Sequence, residues 1–343
     1  MRIAIDLQAA QTASRHRGIG RYSLALAEAM LREPRAHEFW LVINGDIASD
    51  AIDSLAALLP RERVVAFRTA QPVHWRDPAN AWRRTASEHM RESFLQALQP
   101  DIVHVTSVIE GASDGAVTSI GRGTGGARTA ATLYDLIPLH DPRYIATPWA
   151  AEWYADKVAS LQRADVLLSI SDYVRNDAIE RLSVAPERVV NISSAASQIF
   201  RPIHVDSVLR GRFAHEHGIV GGYVMYSGAM DPRKNLEALV AAYALLGKEK
   251  QERYQLVVTG HLDELERARL ALVARRLKLS PDRIVCTGHV TDQSLVELYC
   301  GAELFVLPSL QEGFGLPLLE AMACGTAVIG ARASSIPEVI GRD

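Results

Sequence analysis

Short β-rich runs alternate with segments of helical period along the whole chain, and this alternation is the pattern of stacked βα units built around parallel sheets. The expected strands of the first half are Ile3–Leu7, Phe39–Ile43, Ile102–Val105, Thr129–Leu133, Val166–Ile170 and Val189–Ile192. Those of the second half are Tyr223–Ser227, Gln255–Thr259, Ile284–Thr287, Leu304–Leu307 and Ala327–Ile329. At 343 residues the chain exceeds the size at which one core usually splits, so two α/β domains with doubly wound sheets are predicted, over residues 1–200 and 201–343. Phe200-Arg-Pro-Ile-His-Val-Asp206 reads as the linker. A ligand crevice is expected where the strand ends of two such sheets face each other. Residues 112–128 are rich in Gly, Ser and Thr and read as a mobile loop.

Composition narrows the function classes. With 48% hydrophobic residues the chain can fill two cores, and a net charge of -3 gives no electrostatic reason to expect nucleic acid. No run approaches the roughly 20 apolar residues of a membrane span. Met1-Arg-Ile-Ala-Ile-Asp-Leu7 enters a strand directly and leaves no room for a signal peptide. The three cysteines, Cys286, Cys300 and Cys324, are widely spaced in apolar contexts, which points to buried thiols in a reducing compartment and hence a cytoplasmic location. The eleven histidines form no close cluster with Cys and carboxylates, so no tightly bound metal is expected.

The segment Leu307-Pro-Ser-Leu-Gln-Glu-Gly-Phe-Gly-Leu-Pro-Leu-Leu-Glu320 carries the most chemistry. An apolar run ends at Pro308, and Pro317 stands where a first helical position favours it, so a helix is predicted to begin near Leu316. The backbone of Gly313, Phe314, Gly315 and Leu316 then forms a helix start, a natural place for a diphosphate. Glu312 in the loop and Glu320 in the first turn can both address one molecule with paired hydroxyls, as on a sugar and a ribose. A second element, Tyr223-Val-Met-Tyr-Ser-Gly228, is a strand and turn. After it, Asp231-Pro-Arg-Lys-Asn235 opens a helix over Leu236–Leu246 and puts Arg233 and Lys234 at its start, where they can neutralise a departing diphosphate.

The run Glu312-Gly-Phe-Gly-Leu-Pro-Leu-Leu-Glu320-Ala-Met-Ala-Cys-Gly, followed by Ser335-Ile-Pro-Glu-Val, resembles the E-x7-E signature of retaining glycosyltransferases of the GT-B fold, specifically glycosyltransferase family 4. The resemblance implies that Glu312 binds donor-sugar hydroxyls, Glu320 the ribose, and Lys234 with Arg233 the leaving group. It implies the same site for Gly228 and, through Gly288-His-Val-Thr291, for Val290 near the base. Ala229 stands where many relatives carry an arginine. Arg17-Gly-Ile-Gly-Arg-Tyr22 is similar to the family's loop before a first helix, here Ser23–Leu31, which places Gly18, Gly20 and Arg21 toward diphosphate and acceptor. Thr132-Leu-Tyr-Asp-Leu136 resembles a Thr-x-His-Asp-Leu segment with Tyr134 in place of the histidine; Asp135 reads either as orienting a hydroxyl or as a cap, and His140 either as a displaced stand-in or, more simply, as a loop histidine. Ser171 or Asp172 reads as a helix cap.

The expected reaction is transfer of a hexose from a nucleoside-diphosphate sugar, with GDP-mannose the first choice, to a glycan or lipid-linked acceptor in surface polysaccharide synthesis. Retention of configuration and independence of metal are implied by the resemblance, and no cofactor is expected. A family 4 domain of this kind normally adds another strand and a closing helix, so the C-terminal domain reads as truncated at Asp343. Arg83, Arg84 and Arg91 on one side of a helix ending at Leu98, with Trp82, Ala86 and Met90 on another, fit either a lipid-facing helix or one packed on the sheet, so peripheral association with the inner membrane surface stays open. Two other readings stand beside the transferase: a sugar-nucleotide epimerase of the same fold, and a catalytically silent binding subunit.

Overall fold

The computed structural model describes residues 1–16, 18–33, 37–47, 50, 52–123 and 125–341. The chain divides into two compact units, Met1–Ser193 and Ser194–Asp343.

Seven strands build the first unit: β1 (Arg2–Asp6), β2 (Glu38–Asn44), β3 (Val64–Phe67), β4 (Ile102–Val105), β5 (Arg128–Leu133), β6 (Val166–Ser169) and β7 (Val189–Asn191). They pair in parallel in the order β3-β2-β1-β4-β5-β6-β7. Strand β3 was not expected. It has four residues, follows the charged Arg61-Glu62-Arg63, and lies at the sheet edge, so it shows too little of a two-residue period to register. Ile3, Ile5 and Leu7 pack with Leu41 and with Ala27 of the helix Gly18–Arg32 on one face. That helix starts five residues earlier than expected and takes the glycine pair into its first turn.

The second unit holds β8 (Gly222–Ser227), β9 (Tyr254–Thr259), β10 (Ile284–Gly288), β11 (Leu304–Leu307) and β12 (Val328–Gly330), parallel and ordered β10-β9-β8-β11-β12. Alternate residues of these strands feed two cores, one on each face, as a doubly covered sheet requires. Tyr223, Met225, Val257, Phe305 and Leu307 enter one, and Tyr226, Leu256 and Val258 the other.

Phe200 belongs to the first of these cores, with its ring centroid 6.0 Å from that of Tyr299, so the Phe200–Asp206 segment is part of the second unit rather than a linker. The apolar ring explains the difference, because it gains more buried than exposed. Residues 116–120, expected in a mobile loop, are buried. Gln8 exchanges two hydrogen bonds with the Val117 backbone, at 2.6 and 2.9 Å, and Arg91 Nη1 donates to the Ser119 carbonyl at 2.8 Å. Among the described residues no helix is long and apolar enough to cross a membrane, and no group of three or more His, Cys, Asp or Glu is placed to hold a metal ion.

Candidate functional site

In an open parallel sheet, ligands bind beyond the carboxyl ends of the strands, at the point where the strand order reverses. In the second unit the chain runs outward through β8, β9 and β10 and then returns to place β11 on the other side of β8. The reversal therefore lies between β8 and β11. The segments that leave these two strands are 228–235 and 308–315, the two singled out by the sequence.

They are laced together. Lys234 Nζ lies 2.6 Å from Glu312 Oε1, and Arg233 Nη1 donates to Glu312 Oε2 at 3.2 Å and to the Gln311 carbonyl at 3.0 Å. Leu310 N donates to the Arg233 carbonyl at 2.7 Å, and Asn235 Nδ2 to the Pro308 carbonyl at 3.2 Å. The two cations do not open the long helix as predicted. Asp231 accepts from Arg233 N and starts a separate single turn, Pro232–Lys234; Asn235 then takes a left-handed conformation (φ 57°, ψ 32°) before the helix Leu236–Ala244 begins. Asparagine tolerates that backbone, and the kink aims Arg233 and Lys234 at Glu312.

Glu312 is 7% exposed. Burial pushes its carboxyl up, but the nearby charges of Lys234 and Arg233 and the Lys234 hydrogen bond outweigh burial and hold it below its ordinary value. Its loop is braced from behind. Glu312 N donates to Ser334 Oγ at 2.9 Å, while Ser335 Oγ donates to the carbonyls of Glu312 and Phe314 at 3.0 and 2.8 Å. The helix Leu316–Ala323 begins where expected, with Gly315 at φ 110° as its cap and Pro317 in its first turn. Phe314 turns its side chain into the protein, leaving its backbone at the helix start. Glu320, one turn in, accepts a 3.1 Å hydrogen bond from the Tyr299 hydroxyl. Gly228 follows β8 at φ 155°, and Val290 packs on the core beyond β10.

The first unit reverses strand order between β1 and β4. Gly18 and Gly20 sit in the helix start beside β1. A Cβ on Gly18 would meet the Tyr134 hydroxyl at 2.4 Å, and one on Gly20 the Ser14 carbonyl at 2.3 Å, so both are glycine for close approach rather than for turning. Tyr134, which replaces the histidine, thus packs over this helix start, with its ring 6.0 Å from that of Tyr22. Arg21 lies in the same first turn, while Arg17 is outside the described residues. Asp135 accepts from Ile137 N at 3.1 Å, closing a local side-chain turn just before the short helix Ile137–His140. His140 is not a stand-in for the missing histidine: Nε2 is 2.8 Å from Asp177 Oδ2, and Nδ1 is 3.1 Å from Arg181 Nη2, so both ring nitrogens are committed. Ser171 caps its helix by accepting from Val174 N at 3.0 Å.

Sequence reasoning missed Glu110. This buried carboxyl follows β4 and accepts from Thr12 Oγ1, Ser14 Oγ and Ser107 Oγ at 3.0, 2.9 and 3.0 Å. Burial pushes it up to about 7 against the pull of these hydroxyls. Through Ser14 it holds the segment on which Gly20 rests. The Ser107-x-x-Glu110 spacing was the one local signal.

Two of the three arginines expected along one side of this helix, Arg84 and Arg91, are engaged within the unit, while Arg83 is half-buried with its guanidinium 5.1 Å from the ring centre of exposed Trp82. Arg91 is buried, and its Nε donates to Asp6 Oδ2 at 2.8 Å; the Arg84 guanidinium stacks 3.6 Å from the Trp75 ring centre. An arginine here gains more from a buried carboxylate and an aromatic face than from water. Trp82 and Met90 are the large apolar side chains of this helix left exposed.

Residues 16–195 match the family model described as Glycosyltransferase Family 4, and residues 215–343 match Glycosyl transferases group 1. The chain belongs to glycosyltransferase family 4. This family 4 chain is 36% identical to the serotype-specific mannosyltransferase WbdA of Escherichia coli over 99% of its own length and 41% of that protein's. It is 34% identical to the O-antigen chain mannosyltransferase B of E. coli over 62% of its length and 55% of that protein's. The chain thus spans about two fifths of the length of the WbdA relatives. In fold it is similar to Anabaena HepE, solved in complex with UDP and glucose (TM-score 0.67, 16% identity, 98% of this chain and 82% of that one). WaaG, a glycosyltransferase of lipopolysaccharide biosynthesis, is similar too (TM-score 0.65, 16% identity, 98% and 83%). The architecture is GT-B, with two Rossmann-like units.

Proposed function

We propose that this chain is a retaining hexosyltransferase that moves mannose from GDP-mannose to a glycan or lipid-linked saccharide in surface polysaccharide synthesis. The observation that carries the reading is the convergence of Lys234 and Arg233 on buried Glu312 at the strand-order reversal of the second unit. Mannose is favoured because relatives over 30% identical are described as mannosyltransferases.

Breaking the anomeric C–O bond builds negative charge on the β-phosphate and positive charge on the sugar ring. Lys234, Arg233 and the helix start at Gly313–Leu316 are assigned to the first, and Glu312 to hydroxyls of the sugar. Glu320 is assigned to the ribose, and Gly228 and Val290 to the nucleotide. In the first unit, Gly18, Gly20 and Arg21 are assigned to the acceptor side, and Asp135 to a sugar or acceptor hydroxyl. The acceptor oxygen attacks on the face the diphosphate leaves, and the departing phosphate takes its proton. No metal enters these steps. Trp82 and Met90 offer the apolar contact for peripheral association with the cytoplasmic side of a membrane, where a lipid-linked acceptor would sit.

A thermal-shift screen against GDP, UDP, dTDP, ADP and their sugar conjugates tests the donor, because a ligand bound only to the native state raises Tm. Selective stabilisation by GDP and GDP-mannose is expected; stabilisation by none of the set would sink the reading. NMR of the product's anomeric proton tests retention, and an inverted product refutes it. A catalytically silent sugar-nucleotide-binding role is the second reading, favoured by Ala229 and by the Tyr134 hydroxyl packed over Gly18. It predicts donor binding without hydrolysis or transfer.

A further inference from the structure

We propose that Tyr299 is a positioning residue for Glu320, and that the pair sets discrimination between ribonucleotides and deoxyribonucleotides at this site. The proposal rests on the assignment of Glu320 to the ribose made above.

Tyr299 lies on the helix Asp292–Gly301 and is fully buried. Its ring meets Phe200 and Phe305 edge-on, with centroids at 6.0 and 5.4 Å, and its carbonyl accepts from Thr326 Oγ1 at 2.6 Å. The two rings hold the Tyr299 side chain in the core, and the Thr326 hydrogen bond anchors its backbone. Its hydroxyl donates to Glu320 Oε2 at 3.1 Å, and the hydroxyl of Ser227, the last residue of β8, faces the phenol oxygen itself. Burial and then the Glu320 charge push the phenol far above its usual range, so the O–H stays a donor at any working pH.

The consequence is geometric. Glutamate on a helix surface loses rotamer freedom whenever it binds a diol, and that loss weakens binding. Tethering Oε2 to a phenol that cannot move fixes the plane of the carboxylate before ligand arrives. The tether also joins β8, which leads to Gly228, to the helix that starts at Gly315, so both walls of the strand-order reversal share one hydrogen-bonded chain.

The test is calorimetric titration of the full chain with GDP and UDP and with their 2′,3′-dideoxy analogues, for wild type, Tyr299→Phe, Glu320→Ala and the double variant. Wild type should prefer the ribose forms. Tyr299→Phe keeps the ring and its packing, so it should weaken ribonucleotide binding about five- to tenfold and leave the dideoxy forms unchanged, and it should add nothing in the Glu320→Ala background. Glu320→Asp, which draws the carboxylate back from the phenol, should lose discrimination in the same way and serves should Tyr299→Phe not fold. Discrimination retained in Tyr299→Phe and Glu320→Asp overturns the proposal, as does an equal loss for ribose and dideoxy forms, which marks a purely structural role. Failure of wild type to bind any of these nucleotides removes the transferase reading itself and this proposal with it.

Discussion

Lys234 Nζ and Glu312 Oε1 are 2.6 Å apart although the residues are separated by 78 positions in sequence, and Arg233 closes on the other oxygen of the same carboxylate. The two cations assigned to the leaving group share the one carboxylate assigned to the sugar, and Asp231 Oδ1 stands 3.7 Å from Arg233 Nε as well. A diphosphate has to compete with Glu312 for them. Glu312→Gln is therefore expected to bind GDP several-fold more tightly than wild type while turning over GDP-mannose more slowly, since the ion pairs are released and the charged contact to the sugar is lost. Calorimetric titration and initial rates check both halves, and weaker GDP binding would contradict the competition.

Lys234→Ala should lower turnover about 100-fold, because charge on the β-phosphate peaks in the transition state. Affinity for the donor should move far less, since Arg233 and the backbone at Gly313–Leu316 remain. Equal loss of affinity with unchanged turnover would return Lys234 to a binding role.

Glu110 predicts a pH dependence of stability. Its carboxyl is raised from the ordinary 4.5 to about 7, chiefly by burial and then by the charge of Asp114, with buried Lys157 within electrostatic reach and the hydroxyls of Ser14, Thr12 and Ser107 opposing. The folded state thus holds a proton that the unfolded chain releases. The resulting stability is complete below about 4.5 and is lost as pH rises through about 7, with a ceiling on the order of 3 kcal/mol. Melting curves from pH 4.5 to 8.5 should show wild type losing Tm relative to Glu110→Gln up to about pH 7.5 and running parallel to it above. Parallel curves throughout would mean that the carboxyl is not raised.

Arg91→Met should destabilise the first unit by about 3 kcal/mol, because it leaves Asp6 charged and buried without its partner. Trp82→Ala, on the exposed side of the same helix, should change stability by less than about 0.5 kcal/mol. Urea titrations separate the two, and vesicle co-sedimentation of Trp82→Ala reports on peripheral association.

Much of this was legible because the informative contacts are made by elements whose ends the sequence marks. All eleven expected strands are present, and Pro308 and Pro317 marked a helix start near Leu316, where the helix begins. What stayed hidden depended on tertiary contact. The period of the helix Ala81–Ala97 placed Arg84 and Arg91 correctly on one side, but periodicity cannot say which side faces inward, and Asp6 decided it. Gly18 and Gly20 were expected in a loop before the helix, and only the closeness of Tyr134 and Ser14 shows that they belong to its packed first turn. Glu110 drew no notice because two of its three hydroxyl partners lie 98 and 96 residues away.

Strand β8 is joined to β9 through six register pairs, Gly222↔Tyr254 to Ser227↔Thr259, but to β11 through two, Leu304↔Val224 and Phe305↔Met225. The sheet is stitched firmly on one flank of β8 and sparsely on the other, and the sparse seam is the one above which a nucleotide would lie. A diphosphate gripped from both flanks acts as a tie-bar across it, so occupancy should slow amide exchange in β11 more than in β9. Ligand affinity and the cohesion of this unit are then two readings of one equilibrium.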